Sequence, residues 1–178
     1  MFLALERHIV GRRLKQGFVV DGSADVDAFI SYSIGVHNRR KARAGWALGN
    51  HIEVILLAHE IAFVREATTE KRNGPDFLFP GEKEYHDRNW PEDRLLMLAA
   101  KTSCKDRWRQ VLAEADRIKA KHLLTLEPGI SSRQTDEMKK ESLRLVVPAA
   151  LHESYRPEQR GEILTVAGFV KLAKRLPP

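Results

Sequence analysis

Hydrophobic residues in the first sixty positions recur at helical spacing. Residues 3–14 and 23–36 predict two short helices, and Ser23 is the candidate N-cap of the second one. A basic cluster, HNRRKARAG at 37–45, then leads into a longer helix over about 44–60. One stripe of that helix, at 3.6-residue spacing, contains Leu48, Ile52, Ile55, Leu56 and His59. The chain is therefore predicted to begin with a helical segment.

After residue 60, short apolar runs separated by turn residues replace the helical pattern. These runs predict strands at 61–66, 76–80, 95–100, 122–128 and 143–148. Helices are predicted at about 106–119, 132–140 and 165–176. One face of the first of these helices carries Trp108, Val111, Leu112, Ala115 and Ile118. The early strands are expected to form an antiparallel meander and the later ones to alternate with helices, which predicts an α/β core around a mixed sheet.

The composition fits one globular domain, because the 178 residues are 43% hydrophobic and 30% charged. A formal net charge of +6 slightly favours a polyanionic partner. The single cysteine, Cys104, excludes an internal disulfide framework and indicates a reducing, cytoplasmic setting. The N-terminal apolar run is too short for a signal peptide, and no run reaches the length of a membrane span. We therefore expect a cytoplasmic protein without a membrane partner.

A carboxylate and an ammonium stand at the ends of two predicted strands. Asp76 begins the strand DFLFP, and Lys101 follows the strand LLMLAA. If the two strands are neighbours, the charged ends meet at one edge of the sheet. A carboxylate that binds Mg²⁺ and a lysine that orients or deprotonates water would together suit the hydrolysis of a phosphodiester. The alternative is an ordinary solvated sheet edge.

A magnesium site calls for a second carboxylate. The position two residues before the lysine is Ala99, so the next candidate is Glu114, which we predict on the flank of the helix over 106–119. Glu53 occupies a similar flank of the helix over 44–60. Either glutamate could equally be an ordinary surface residue.

Two basic clusters are candidates for DNA binding. In KDRWR at 105–109, a predicted helix start, Lys105, Asp106 and Arg107 have the donors and acceptors to read G·C pairs in the major groove, and Arg109 adds a further cation. The cations of NRRKAR, namely Arg39, Arg40, Lys41 and Arg43, would suit phosphate contacts. A solvated helix terminus explains either cluster equally well.

Several motifs occur together in one order: NRRKARAG, NHIE, PDFLFPG, YHD, LAAKTSCKDRWRQVLAEADRI, HLLTLEPG and LRLVVP. From about residue 28 to near its C-terminus, the chain thereby resembles the catalytic C-terminal domain of the EcoRII-type restriction endonucleases. These belong to the PD-(D/E)xK nuclease superfamily, in a branch that reads sites with CC and GG flanks. The branch carries its second acid on the helix after the lysine strand.

The resemblance implies a restriction-endonuclease-like α/β core, with a central mixed sheet flanked by helices and a small helical N-terminal segment. Residues 1–178 would be a single catalytic domain, with 1–40 as the helical part and 41–178 as the nuclease core. The implied metal ligands are Asp76 and Glu114, and Lys101 lies thirteen positions before Glu114, as the branch requires. Glu53 and Tyr85 match further active-site positions. Lys105, Asp106 and Arg107 fall on the G·C-reading segment.

The resemblance thus implies a type II restriction endonuclease that uses Mg²⁺ to cut double-stranded DNA. The expected target is CCWGG-like, with W as A or T, and the expected ends carry 5′-phosphates. A homodimer is expected, together with a cognate DNA methyltransferase in the same cell that is not a stable partner. The alternatives are a catalytically inactive DNA-binding module of the same fold and a structure-specific or RNA nuclease.

Overall fold

The computed structural model describes residues 2–70, 74–104 and 107–176. By its internal contacts the chain divides into two compact units, Met1–Ala44 and Gly45–Pro178. One long helix contributes residues to both units. None of the helices in the described ranges is both long and apolar enough to cross a membrane.

The first unit contains a helix, a short hairpin and the beginning of the long helix. Helix α1 spans Phe2–Gln16, and strands β1 (Val19–Val20) and β2 (Ser23–Ala24) pair antiparallel. The two residues between the strands, Asp21 and Gly22, both have positive φ, as the tight turn of such a hairpin requires. Ser23 therefore lies in a strand, and the prediction that it caps a helix was wrong.

Helix α2 spans Val26–Ala58 without a break. Its N-terminus is capped by Asp25, whose Oδ1 accepts a hydrogen bond from the Ala28 N–H at 2.9 Å. The sequence predicted two helices joined by the basic cluster, but residues 37–45 lie within α2. Arginine, lysine and alanine are good helix formers, and so a charged run of this kind continues a helix.

The second unit is built on a six-stranded sheet in the order β3-β4-β5-β6-β7-β8. Its strands are β3 (Val64–Arg65), β4 (Phe77–Phe79), β5 (Leu96–Lys101), β6 (Lys121–Thr125), β7 (Leu143–Val147) and β8 (Leu164–Thr165). The first three strands pair antiparallel, and the pairs from β5 to β8 are parallel. This confirms the predicted mixed sheet flanked by helices, although β8 was not anticipated.

The described part of the second unit contains five further helices: α3 (Glu82–His86), α4 (Trp108–Val111), α5 (Ser132–Lys140), α6 (Pro157–Arg160) and α7 (Val166–Ala173). Short 3₁₀ turns occupy Glu92–Arg94 and Ala149–Ser154. Helices α5 and α7 confirm the predictions for their segments, whereas α3 and α6 had no counterpart in the sequence pattern.

The helix predicted over 106–119 is wrong for most of its length. Helix α4 ends at Val111, and the chain continues through turns in which Ala115 has a φ of +49°. The apolar residues that suggested the helix are nevertheless buried, since Trp108, Ala115 and Ile118 are each at most 4% exposed. The apolar spacing therefore indicated which residues are buried on one side of the sheet. Turns can bury these residues as well as a helix can.

The sheet of the second unit buries both of its faces. Alternate residues of β4 point to opposite faces, so Phe77 and Phe79 pack in one cluster and Leu78 in the other. The Phe77 cluster includes residues of α2 and α7, among them Leu48, Ile52, Leu56, Phe169 and Val170. The Leu78 cluster includes Trp108, Val111, Ala115, Ile118 and Met138. Helices α2 and α7 therefore flank the sheet on one side, and α4, the following turns and α5 flank it on the other.

We predict that Thr165→Ala destabilises the second unit by about 1 kcal/mol. The Thr165 Oγ1 accepts a hydrogen bond from the Gly168 N–H at 2.9 Å and so caps α7, which covers one face of the sheet. Urea unfolding measures the change. Thr165→Ser keeps the hydroxyl and should retain most of the stability, and equal losses in both variants would exclude capping as the cause.

Candidate active site

The antiparallel pairing of β4 with β5 brings together the two charged strand ends. Asp76 immediately precedes β4, and Lys101 is the last residue of β5. Because Phe77 pairs with Leu98, Asp76 lies beside the end of β5. Its Oδ2 accepts hydrogen bonds from the Lys101 Nζ at 2.8 Å and from the Ala100 N–H at 2.7 Å. The predicted meeting of carboxylate and ammonium is therefore present.

Glu114 is the second carboxylate at this site. Its Oε1 lies 4.0 Å from the Lys101 Nζ, and its Oε2 is buried without a hydrogen-bond partner among the described residues. The residue is only 8% exposed. The sequence analysis placed Glu114 on a helix flank, and this was wrong because α4 ends at Val111. Glu114 lies in the turn after α4, where burial directs it towards the sheet edge.

Burial raises the pKa of Glu114 to about 7. The Lys101 ammonium counteracts this by favouring the charged carboxylate, whereas the nearby Asp76 carboxylate raises the pKa of Glu114 further. A carboxyl group in such an environment carries its charge at a cost in folding free energy. Sites that need a charge for chemistry often carry this kind of cost.

The two carboxylates of this site suit Mg²⁺. This ion is commonly bound in proteins by one or two carboxylates, and water fills its other positions. No group of three or more His, Cys, Asp and Glu residues suited to a metal occurs within the described ranges. In the described part of the chain no donor reaches the buried Glu114 Oε2, so a cation bound there would offset the cost of its burial. The residues therefore fit this ion, and Asp76 and Glu114 are the two carboxylates that could hold it.

Four side chains hold the turn that carries Glu114. The buried Lys121 Nζ donates hydrogen bonds to the backbone oxygens of Glu114 and Ala115. The next two backbone N–H groups donate to Thr69 Oγ1 at 3.3 Å and Glu70 Oε2 at 3.2 Å. Tyr85 completes the group, since its hydroxyl accepts a bond from the Arg117 N–H. Lys121, Thr69 and Glu70 were missed by the sequence analysis, because isolated polar residues at loop and strand ends carry no recognisable pattern.

Tyr85 is fully buried on α3, and its hydroxyl donates a hydrogen bond to Glu70. Burial and the Glu70 carboxylate raise the pKa of Tyr85 far above its usual value, and so it stays protonated. Its hydroxyl contacts the Glu114 turn through Glu70 and the Arg117 N–H. The structure thus brings Tyr85 to the site as a support of the turn.

Glu53 is connected to Asp76 indirectly, through Arg65 and the neighbouring Glu66. The Glu53 carboxylate accepts a hydrogen bond from Arg65 at 2.6 Å, and Arg65 also donates to Asn50 on the same helix. Beside Arg65, the Glu66 N–H donates to the Asp76 backbone oxygen at 3.2 Å. Glu53 is therefore linked to Asp76 through β3, and its carboxylate pairs with an arginine rather than with the Lys101 ammonium.

Of the three candidates for base reading, the structure describes one, Arg107. Lys105 and Asp106 are outside the described residues. Arg107 is exposed at the N-terminal end of α4, with a weak bond to Gln110 at 3.4 Å. Arg109 is also exposed, but its guanidinium forms an ion pair with Glu137 at 2.7 Å and stacks over the Trp108 ring. Trp108 itself is a core residue, as expected.

The candidates for phosphate contacts lie on the part of α2 within the first unit. Arg39 and Lys41 are exposed there. Arg40 and Arg43 both form ion pairs with Glu6 of α1. Two of the four cations are therefore partly neutralised within the unit.

We predict that Glu114→Gln stabilises the protein at alkaline pH. The folded-state pKa of Glu114 is raised above its ordinary value of 4.5, so its favourable contribution is complete below that value and is lost as pH rises through about 7. The glutamine variant should match the original chain near pH 5 and exceed it by about 2 kcal/mol near pH 8. Urea unfolding at both pH values, in the presence of a chelator, measures the difference.

Glu153→Gln is the matched control, because Glu153 is exposed. It should leave the difference in stability between the two pH values unchanged. An equal pH response in both variants would contradict the assignment of the effect to the buried carboxyl group.

Comparison with known proteins places this chain in a family. The family described as EcoRII C terminal matches residues 2–170. The chain is 44% identical over 171 residues to the type II restriction enzyme EcoRII of Escherichia coli, covering 96% of this chain and 41% of that protein.

Two solved structures share the fold. One is metal-depleted Ecl18kI in complex with uncleaved, modified DNA, with a TM-score of 0.77 and 18% identity. The other is metal-depleted Ecl18kI with uncleaved DNA, with a TM-score of 0.74 and 19% identity. Each match covers 98% of this chain and 64% of the other, so the chain spans less than two-thirds of the length of these relatives. The match over residues 2–170 confirms the resemblance inferred from the motifs: the chain belongs to the EcoRII C-terminal family.

Proposed function

We propose that this chain is a Mg²⁺-dependent type II restriction endonuclease that cuts both strands of duplex DNA. The observation that carries the proposal is the convergence of Asp76, Lys101 and the buried Glu114 at one edge of the sheet. Membership of the EcoRII C-terminal family supports it, and so does the likeness to Ecl18kI structures that contain DNA. Residues 1–178 act in this proposal as one cytoplasmic catalytic domain, with 1–40 as its helical part and 41–178 as its PD-(D/E)xK nuclease core.

Asp76 and Glu114 would hold the Mg²⁺, and the bound ion would stabilise the charge that develops on the phosphate and favour ionisation of water. Lys101 orients the attacking water, since its ammonium is fixed by the Asp76 carboxylate. The water oxygen attacks phosphorus in line, and the bond from phosphorus to the 3′-oxygen breaks. The products are a 5′-phosphate and a 3′-hydroxyl. Tyr85 and Glu53 act through the residues that they contact, Tyr85 on the Glu114 turn and Glu53 on Arg65.

Lys105, Asp106 and Arg107 read G·C pairs in this proposal, because arginine and lysine donate to guanine and aspartate accepts from cytosine. Arg39, Arg40, Lys41, Arg43 and Arg109 contact phosphates, which position the protein without specifying sequence. The target is CCWGG-like and is cut before the first C.

Two copies of the chain would bind this nearly palindromic site as a homodimer, because a two-fold assembly presents one active site to each strand. A cognate methyltransferase in the same cell would protect host DNA without forming a stable complex with this protein.

The proposal predicts discrete fragments when the chain is incubated with duplex plasmid and Mg²⁺. Asp76→Asn keeps the size of the side chain but removes its charge, and it should abolish cleavage while leaving site-specific binding intact. Glu153→Gln is the control and should cut like the original chain. Sequencing of the fragment ends gives the site, the cut position and the end chemistry.

Specific binding without cleavage under several divalent metals would favour an inactive DNA-binding module. Random degradation would favour a structure-specific nuclease, and full activity of Asp76→Asn would refute the metal assignment.

We also predict that Arg107→Ala relaxes sequence preference. Losing a bidentate contact to guanine should cost about 1–3 kcal/mol of discrimination at one base pair. Lys41→Ala is the matched comparison, because loss of a phosphate contact should weaken binding to all sequences about equally. Competition binding with single-substituted duplexes measures both effects, and an unchanged preference in Arg107→Ala would exclude its reading role.

A further inference from the structure

The turn that carries Glu114 has an unusual backbone. Ala115, the next residue, has a φ of +49°, in the left-handed region that residues with a Cβ rarely adopt. Ala115 is also completely buried. Strained backbone of this kind persists only where surrounding contacts hold it, and it is often found beside functional sites.

A buried lysine supplies two of these contacts. Lys121 is the first residue of β6 and is only 6% exposed. Its Nζ donates to the Ala115 backbone oxygen at 2.9 Å and also to the Glu114 backbone oxygen. Both carbonyl groups of the strained segment therefore point at one ammonium, which is anchored to the central sheet.

Two contacts from the segment before β4 hold the opposite side of the turn. Thr69 Oγ1 accepts from the Ala115 N–H, and Glu70 Oε2 accepts from the Asp116 N–H. Glu70 is fixed in turn by the Tyr85 hydroxyl. Backbone polar groups of Glu114, Ala115 and Asp116 are thus satisfied by side chains from two other parts of the second unit, β6 and the segment before β4.

A buried lysine at position 121 would be energetically unfavourable if its only role were to fill space. Burial of an ammonium is unfavourable and lowers the pKa of Lys121, against the influence of Asp116, Glu114 and Glu70. A methionine of similar length would fill the same volume without this penalty. The feature that requires an ammonium is the pair of carbonyl groups in the Glu114 turn.

We propose that Lys121 is a positioning residue, whose ammonium holds the left-handed Glu114–Ala115 turn so that the Glu114 carboxylate faces Lys101 and Asp76. The expected effect on DNA cleavage rests on the proposed function. The placement of the Glu114 carboxylate beside Asp76 does not depend on it. The Lys121 ammonium donates to the backbone oxygens of Glu114 and Ala115, and so it acts on the site through the backbone of the turn. Thr69 and Glu70 support the same turn from the other side.

The test compares Lys121→Met with the double variant Lys121→Met/Ala115→Gly in the full chain. Misplacement of Glu114 in Lys121→Met should slow single-turnover cleavage by about 100-fold, because small displacements of catalytic groups have effects of that size. Glycine adopts a positive φ without strain, so the double variant should cut about tenfold faster than Lys121→Met. Affinity for the DNA site without metal should stay within about twofold, because Lys121 is only 6% exposed and is not one of the residues proposed to contact DNA.

Lys119→Met is the control, because Lys119 is exposed and lies two residues from Lys121. It should cut at the original rate. A normal rate in Lys121→Met would overturn the proposal. A loss that Ala115→Gly does not relieve, and that matches the fraction of unfolded protein in urea titrations, would also overturn it, because Lys121 would then serve stability alone.

Mn²⁺ binding without DNA, measured by electron paramagnetic resonance, separates this inference from the proposed function. Lys121→Met should weaken Mn²⁺ binding by about tenfold, and Ala115→Gly should recover part of it, because the ion needs both carboxylates in place. If the original chain cuts no DNA but shows this pattern, the proposed function fails and the positioning role stands. Equal Mn²⁺ affinity in the original chain and Lys121→Met would refute the positioning role whether or not DNA is cut.

Discussion

The antiparallel register between β4 and β5 is the constraint on which the rest of the site depends. Pairing of Phe77 with Leu98 leaves Asp76 beside the end of β5, where Ala100 and Lys101 donate to the same carboxylate oxygen. Because side chains alternate along a strand, a slip of one residue would exchange the two buried faces of the sheet. The hydrophobic cores on both faces therefore enforce the register, and the register places the Asp76 carboxylate beside the Lys101 ammonium. The geometry of the candidate site and the hydrophobic packing are consequences of the same strand pairing.

At Glu114, by contrast, the geometry of the candidate site lowers the stability of the fold. Its carboxylate is buried beside the Lys101 ammonium at 4.0 Å, and burial raises its pKa to about 7. One of its oxygens has no hydrogen-bond partner among the residues that the structure describes. The turn that carries it contains a left-handed alanine and depends on a buried lysine. Folding tolerates these unfavourable features because the surrounding sheet is packed on both faces. The local cost is concentrated where a cation would relieve it, which is the pattern expected of a metal site.

Local sequence patterns located the strands more reliably than they located the ends of the helices. The apolar runs identified β4 to β7, and α5 and α7 begin within one residue of the predicted positions, whereas α2 begins at Val26 and not at about residue 44. The helix over 106–119 failed because its apolar spacing recorded which residues are buried, and turns stabilised by distant side chains achieve the same burial. Ser23 failed as a cap because a two-residue turn at Asp21 and Gly22 placed it in a hairpin strand. Local patterns do not contain the distant contacts that decide between such alternatives.

By itself the sequence determined the mixed α/β core, the candidate site residues Asp76, Lys101 and Glu114, and, through its motifs, the family. The core follows from local hydrophobic periodicity, and Asp76 and Lys101 follow from their places at strand ends. Glu114 and the family follow from the motifs that carry the resemblance. Only the tertiary structure decided that Glu114 lies in a buried turn, that Tyr85 supports this turn, and that Lys121, Thr69 and Glu70 hold it. The physical reason is that each of these contacts joins segments distant in sequence or satisfies backbone groups that carry no residue identity. Spacing along the chain therefore marks which groups can act, and packing determines where they meet.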